Sequence, residues 1–537
     1  MYHGRYIVTS HVAHLQQNFL ALAVQIPNTL CRLLEGLSRA SYLFNIAILI
    51  VNAVLDQQLK TIYRILSSDR LGPKNAAIAL LTEIALQPRS SSADMIYRLV
   101  VSGFNVWPKL LSQKGSMREK EIVQAAKLRK IDQKEYSRTK AIELVLALLK
   151  KGTLASKEGL LGNRLLAAPL IKFLPLDPNK VVLELLDTVT EHILSDRKIS
   201  RSVKTAFFNT EQFLYKIASI HSREVDHPRD SLNIIKHLEQ FLLLACTTTG
   251  NGICFEDRGW YPRPNADLND WDSQTHNIIL LRFVLQLRPL ESPFERSLTL
   301  KVLEVCAELR APYLLKTRNT VEPNLTFSFV SAIGFWQDII SLPSPIPFNA
   351  PSGLPEEPPP ALTLIENVLP TFITKQFLTT ALNSNSALVR FASSQLLLTS
   401  LMKLKRLQRV FLSGGTRWAT FSDLVAERIA RRLPDSGSIV TLHSTAEEHP
   451  LLSISSIKIL SVYNELLASV DHIRKIDSKA LMAPLQKDWS FTDSLEILNH
   501  IHLLQILEDQ SDLNWWTKQG MFRPLKFSLI WQEIAGH

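Results

Sequence analysis

The residues of this chain best suited to chemistry are its lysines and arginines, and the chemistry they suit is phosphate binding. Between Lys114 and Lys140 nine basic residues stand against four acidic ones, and between Lys403 and Arg432 eight stand against two. Together the two windows account for the whole formal net charge of +10. On a helix each residue turns by roughly 100°, so Lys120, Lys127, Lys130, Lys134 and Arg138 fall within about a quarter of the circumference. That is a basic stripe. In the second window Lys403, Lys405, Arg406 and Arg409 are expected to face outward while Leu404, Leu407 and Phe411 pack inward, with Arg428, Arg431 and Arg432 one helix later. These nine residues of the stripe and of 403–409 are the candidate contacts to RNA phosphates. A solvated charged face is the competing reading. No RNA-recognition aromatic motif or zinc knuckle separates the two.

The stripe carries a tension of its own. Ala141, Val145, Leu148 and Leu149 continue on the azimuth of Arg138 but are apolar, so an unbroken helix would run from solvent or ligand into a core. The 114–140 stretch is therefore expected to project, to bend or to be partly disordered.

Other chemistries find no foothold. Gly250-Asn251-Gly252 and Gly414-Gly415 are not followed by the lysine and hydroxyl residue of a phosphate-binding loop, and no glycine-flanked nucleophilic serine occurs. His11 and His14 could share a helical face and His500 and His502 could not, and neither pair has a suitable third ligand nearby. Glu356 and Glu357, like Glu447 and Glu448, sit in loop-like sequence where solvated charge is the ordinary state. The expectation is a chain without catalytic residues, metal site or cofactor, and so not an enzyme.

The elements that must carry the basic windows are helices. In VVLELLDTVTEHIL, Val182, Leu185, Leu186, Val189 and Ile193 recur at the three-and-four spacing of one apolar stripe. Comparable segments run over 43–66, 74–87, 141–150, 201–219, 231–246, 274–287, 295–309, 361–382, 386–412, 417–432, 452–471 and 491–508. Strand-like alternation is scarce and connections are short, as at Leu176-Asp177-Pro178-Asn179, a helix-start signal. Many helices without a sustained heptad predict an all-α chain, an α-solenoid of HEAT or armadillo-like repeats. Residues 341–361 are too rich in proline for helix and read as a linker, giving an N-terminal helical-repeat domain over 1–340, the linker, and further repeats over 362–537. A second irregular stretch, 247–273, holds Trp260, Tyr261 and Trp271, which either anchor the loop or offer a stacking surface.

With 46% apolar and 20% charged residues in 537, the chain has material for a large buried core. Cys31, Cys246, Cys254 and Cys306 fit no zinc or redox spacing. The first twenty residues lack the pattern of a secretory signal, and the apolar run Tyr42–Leu55 is interrupted by Asn45 and Asn52 and falls short of the roughly 20 residues of a spanning helix. An intracellular protein with no membrane and no small-molecule substrate is the expectation.

Several stretches carry a resemblance: QLKTIYRILSSDRLGPKNAAIALLTEIAL (58–86), LIKFLPLDPNKVVLELLDTVTEHILSDRKISRSVKTAFFNTEQFLYKIASIH (170–221), FLLLACTTTGNGICF (241–255), LRFVLQLRPLESPFERSLTLKVLEVCAELRAPYL (281–314), FSFVSAIGFWQDIISLPSPIPF (327–348) and the run from 358 to 407. In this order they resemble the nucleolar pre-ribosomal-associated protein 1 family, especially its fungal members. The resemblance implies a helical-repeat scaffold in the nucleus and nucleolus, associated with early pre-60S particles and needed for large-subunit rRNA maturation. It also implies pre-ribosomal RNA and early pre-60S assembly factors, a DEAD-box helicase among them, as partners. Family members continue far beyond this length with a C-terminal conserved region, so the chain corresponds to the N-terminal portion, as a fragment, a truncated gene model or a divergent short form. The other function class open to an α-solenoid is a transport or trafficking adaptor.

Overall fold

The computed structural model describes residues 22–35, 44–112, 137–466 and 494–509, less short breaks at 69, 88–89, 103–105, 222–227, 251, 268–269, 318–320, 346–353 and 447–448. Among these residues every regular element is helical. The chain forms an α-solenoid of stacked helices in two compact units, Met1–Phe255 and Glu256–His537.

In the first unit, helix Leu71–Leu86 lies against helix Ser137–Lys151. Both are buried around most of their circumference, through Ala76, Ala77, Ile78, Leu80, Leu81 and Ile84 on one and Ala141, Ile142, Leu144, Val145 and Leu148 on the other. A helix apolar on all sides is a central helix. Further along, Phe207, Phe208, Phe213 and Phe241 gather with ring centroids 5.2 to 6.4 Å apart. They tie helices Arg201–Asn209 and Phe213–His221 to helix Pro228–Thr247.

The second unit is built on the 26-residue helix Ala387–Leu412, which starts where the Ser386 hydroxyl accepts the Val389 N–H. Thr326 and Thr374 cap helices Phe327–Ser341 and Lys375–Leu382 in the same way. A hydroxyl at this position satisfies one of the four orphan amides of a helix start. Helix Ala387–Leu412 packs between Phe327–Ser341 and Pro450–Leu466, and Ser494–Asp509 lies on the far side of the latter.

Contacts between successive layers recur at a nearly constant separation. Ile340 meets Lys403, Pro355 meets Trp418 and Leu369 meets Arg432 at 63 residues, while Lys375 meets Asp435, Gln395 meets Ser455 and Lys405 meets Glu465 at 60. A separation that holds as the chain advances means that like elements stack in the same direction. Each layer is a triplet, Ala361–Val368, Lys375–Leu382 and Ala387–Leu412, then Thr416–Ala430, Ser436–Ser444 and Pro450–Leu466. Three-helix layers stacked on their neighbours are the armadillo-like arrangement.

The proline-rich segment lies wholly within the second unit, so it does not part the two. Of its residues, 346–353 lie outside the described ones, and the rest are docked. The Pro343 carbonyl accepts from Arg310, the Pro355 carbonyl from the Trp418 indole at 3.0 Å, and the Glu357 carbonyl from the Tyr261 hydroxyl at 2.9 Å. Prolines lack N–H donors but keep their carbonyls, and here side chains of the unit use them. Trp260 is fully buried, so it anchors its loop and offers no face to a base.

Candidate nucleic-acid interface

Helices end in carbonyls that have no partner within the helix, and these ends carry partial negative charge. Several of the chain's least exposed cations are held there. Lys403 leaves helix Ala387–Leu412 on the same side as Leu396, Ser400 and Leu407, all buried. Its Nζ donates to the Ile340 carbonyl at 2.7 Å and the Leu342 carbonyl at 3.4 Å, closing the end of helix Phe327–Ser341. Burial, with Arg310 beside it, holds this ammonium well below the usual lysine range. Arg310 is itself buried, donating to the carbonyls of Leu303 and Glu304 at the end of helix Pro293–Val305 and to that of Pro343 just past helix Phe327–Ser341, and burial lowers it to about 10. Arg432 donates to the carbonyls of Leu369, Pro370 and Ile373 beyond helix Ala361–Val368. Lys204 serves the Leu194 carbonyl at 3.0 Å, where burial again lowers its pKa.

Arg138 is as enclosed as these cations and has a carboxylate besides. Its side chain and that of Asp177 are each 2% exposed, and the two join through paired contacts of 2.7 Å. The remaining guanidinium hydrogens go to the carbonyls of Leu111, Pro169 at 3.1 Å and Leu170 at 2.9 Å.

Two of the nine candidate phosphate contacts are thereby corrected. Arg138 and Lys403 were expected in solvent and are buried, because each lies on the apolar azimuth of its helix and has a cluster of helix-end carbonyls to satisfy. The signal was in the spacing: Arg138 shares its azimuth with Val145 and Leu149, and Lys403 with Leu396 and Leu407. Arg310 and Lys204 fall outside both windows, and charge counting passes over them. Lys120, Lys127, Lys130 and Lys134 lie outside the described residues.

Lys405, Arg406 and Arg409 remain. Lys405 pairs with Glu465, and Arg409, 68% exposed, reaches the same carboxylate at 3.6 Å. Arg406 is exposed and makes no ion pair among the described residues; it borders a cleft of about 460 Å³ with Leu398, Met402 and Pro343. On the following helix Arg417 and Arg428 are exposed, and Arg431 pairs with Glu427 one turn back. The second window thus divides into an inner set that holds helix ends and an outer set, Arg406, Arg409, Arg417, Arg428 and Arg431, that water or a polyanion can reach. No group of three or more metal-ligating side chains occurs among the described residues, nor any single helix long and apolar enough to cross a membrane.

Comparison with known proteins places these features. Residues 11–332 match the model of a family described as Npa1, ribosome 60S biogenesis N-terminal. Over 487 residues the chain is 23% identical to the nucleolar pre-ribosomal-associated protein 1 of Saccharomyces cerevisiae, a match covering 87% of this chain and 27% of that protein. The chain therefore spans little more than a quarter of the curated relative. Among solved structures it is similar to importin beta, at 12% identity over 90% of this chain and 67% of that one with a TM-score of 0.25. It is also similar to Kap121p, at 11% identity over 90% and 54% with a TM-score of 0.21. At such scores the likeness is loose, and the fold rests on the helices described above.

Proposed function

The chain belongs to the Npa1 family, ribosome 60S biogenesis N-terminal, and from that membership we propose that it is a non-enzymatic helical scaffold of early pre-60S particles in the nucleolus. The observation that carries this is the family match over residues 11–332, more than half of the chain, continued by similarity to a nucleolar pre-ribosomal relative over most of the rest. Stacked helices expose a long surface relative to their mass, and that is what a scaffold needs. In this reading the chain is needed for large-subunit rRNA maturation, and it works alongside pre-60S assembly factors that include a DEAD-box helicase.

Pre-ribosomal RNA is met through phosphates by Arg406, Arg409 and Lys405, joined by Lys120, Lys127, Lys130 and Lys134. The support is physical: after the inner cations are set aside, the second window still presents five exposed arginines against a few carboxylates. Phosphate contacts of this kind position a protein without reading sequence. Affinity purification of the tagged chain tests the reading. Recovery of large-subunit ribosomal RNA precursors and nucleolar assembly factors is the expected result, and recovery of nuclear-pore or coat components without pre-ribosomal RNA would overturn it.

A further inference from the structure

Helix Ala387–Leu412 turns one further face outward. Thr399, Met402, Arg406 and Val410 recur at spacings of three and four, so they lie in line, and none of them is fully buried. Beside them runs the chain that leaves helix Phe327–Ser341, and between the two lies the cleft of about 460 Å³. Cavities that take small organic ligands span roughly 300 to 1,000 Å³, so this one has room for a nucleobase with its sugar.

The walls of the cleft are apolar, with Leu398, Met402 and Val410 on one side and Leu342 and Pro343 on the other. The polar groups inside have little to give an anion. Lys403 spends its Nζ on the carbonyls of Ile340 and Leu342. The Ser341 hydroxyl donates to the Asp338 carbonyl and the Thr399 hydroxyl to the Gln395 carbonyl, each at 2.8 Å, which leaves both oxygens as acceptors. An anionic group set among them would be desolvated without a donor, so the interior favours an uncharged body.

The charge stands at the mouth. Arg406 is exposed and makes no ion pair among the described residues, and Arg409 follows one turn on, 68% exposed. No carboxylate lines the cleft. On the adjoining helices Asp338 is held by Arg296 at 2.6 Å, and Glu465 is taken by Lys405 and Arg409. The matching ligand sets an anionic group at the mouth, an uncharged body inside, and a second anion within reach of Arg409. A nucleotide within a strand has that form.

We propose that this cleft takes one unpaired base of single-stranded RNA, its ring beside Met402 and Pro343 and its flanking phosphates on Arg406 and Arg409. A thioether packs favourably against an aromatic ring, and bases taken out of the stack are held between apolar side chains. Duplex RNA does not fit, since its bases are paired and stacked inward. The inference rests on the reading of Arg406 and Arg409 as phosphate contacts and adds the form of RNA they meet.

The test follows fluorescence anisotropy of a short labelled single strand, and of its duplex, against the purified full chain. Wild type should prefer the single strand. Met402→Lys is the deciding variant, because it adds positive charge. A surface that only meets phosphates would then bind more tightly, whereas a cleft that holds a base should lose at least about fivefold on the single strand, the scale of one stacked base. Met402 is half-buried, and a lysine there can carry its ammonium to solvent, so circular dichroism should match wild type. Strands carrying 4-thiouridine, irradiated on the wild-type chain, should crosslink within 398–402 or 342–344 whatever the variants do. The double variant Arg406→Glu, Arg409→Glu keeps the two readings apart. If it loses affinity while Met402→Lys holds or gains it, the base site falls and the phosphate contacts stand; if it binds normally, both fall. Equal affinity for duplex, crosslinks only elsewhere, or displacement of the strand by polyglutamate as readily as by unlabelled RNA would also overturn the proposal.

Discussion

Replacing Asp177 by alanine is the sharpest test of how the first unit uses its charge. In the native chain the Arg138 guanidinium is 2% exposed and meets both Asp177 oxygens at 2.7 Å, and three carbonyls take its other hydrogens. The substitution leaves a permanently charged group buried with carbonyls alone. Removing one partner of such a pair costs about 3 to 5 kcal/mol. For a cooperative unit of some 250 residues each kcal/mol shifts Tm by about 2 to 4 °C, so the transition should fall by roughly 10 °C. Arg138→Met should cost less, since it leaves a carboxylate that can take up a proton. The double variant Arg138→Met, Asp177→Leu should recover much of the loss, because a well-packed apolar pair replaces a buried ion pair at little net cost. The assay is thermal unfolding followed by circular dichroism at low and high salt. A loss in Asp177→Ala below about 1 kcal/mol, or one abolished by salt, is what a surface pair would show, and it would refute the buried assignment.

Lys403 yields a pH dependence. Its folded-state pKa lies well below the ordinary lysine value, chiefly through burial, so between that value and about 10.5 the unfolded chain binds the extra proton. Stability therefore rises with pH in that window, by up to about 1.4 kcal/mol per unit. Lys403→Met should flatten the slope when urea unfolding is compared at pH 7 and 9.5. Charge reversal of Arg406 and Arg409 should lower RNA affinity, flatten its dependence on salt through lost counterion release, and leave the fold intact; a variant that keeps both affinity and slope would reduce these arginines to a solvated face. Trp418→Phe removes the donor to the Pro355 carbonyl, costing about 1 kcal/mol. Limited proteolysis should then cut between Leu342 and Pro360 faster than in wild type.

The helical class was legible because amphipathic stripes are visible to periodicity. The helix expected over 386–412 is Ala387–Leu412, and 361–382 is two helices, parted at Leu369 and Pro370 where the proline supplies no amide. Helix Phe327–Ser341 buries Phe329, Ala332, Ile333, Phe335, Trp336, Ile339 and Ile340 on one face, yet its stripe is blurred in the sequence because Phe327 and Val330, off that face, are apolar too. The layer spacing was equally hidden, since it is kept by contacts between helix ends and not by a recurring motif. Among the cations, charge counting found the windows but not the roles. Lys403 and Arg406 differ by three positions, and one closes a helix end while the other faces solvent. What separates them is azimuth, since Lys403 lies in line with Leu396 and Leu407 and Arg406 does not; which carbonyls Lys403 would reach, at the end of helix Phe327–Ser341, is what the local sequence does not record.

The central claim, a scaffold acting on the large-subunit branch, is tested most directly by pulse-labelling ribosomal RNA in cells depleted of this chain. The account predicts that mature large-subunit RNA accumulates slowly while small-subunit RNA matures at its normal rate, and that re-expressing the chain restores the difference. Equal loss of both branches, or normal labelling of both, would contradict it.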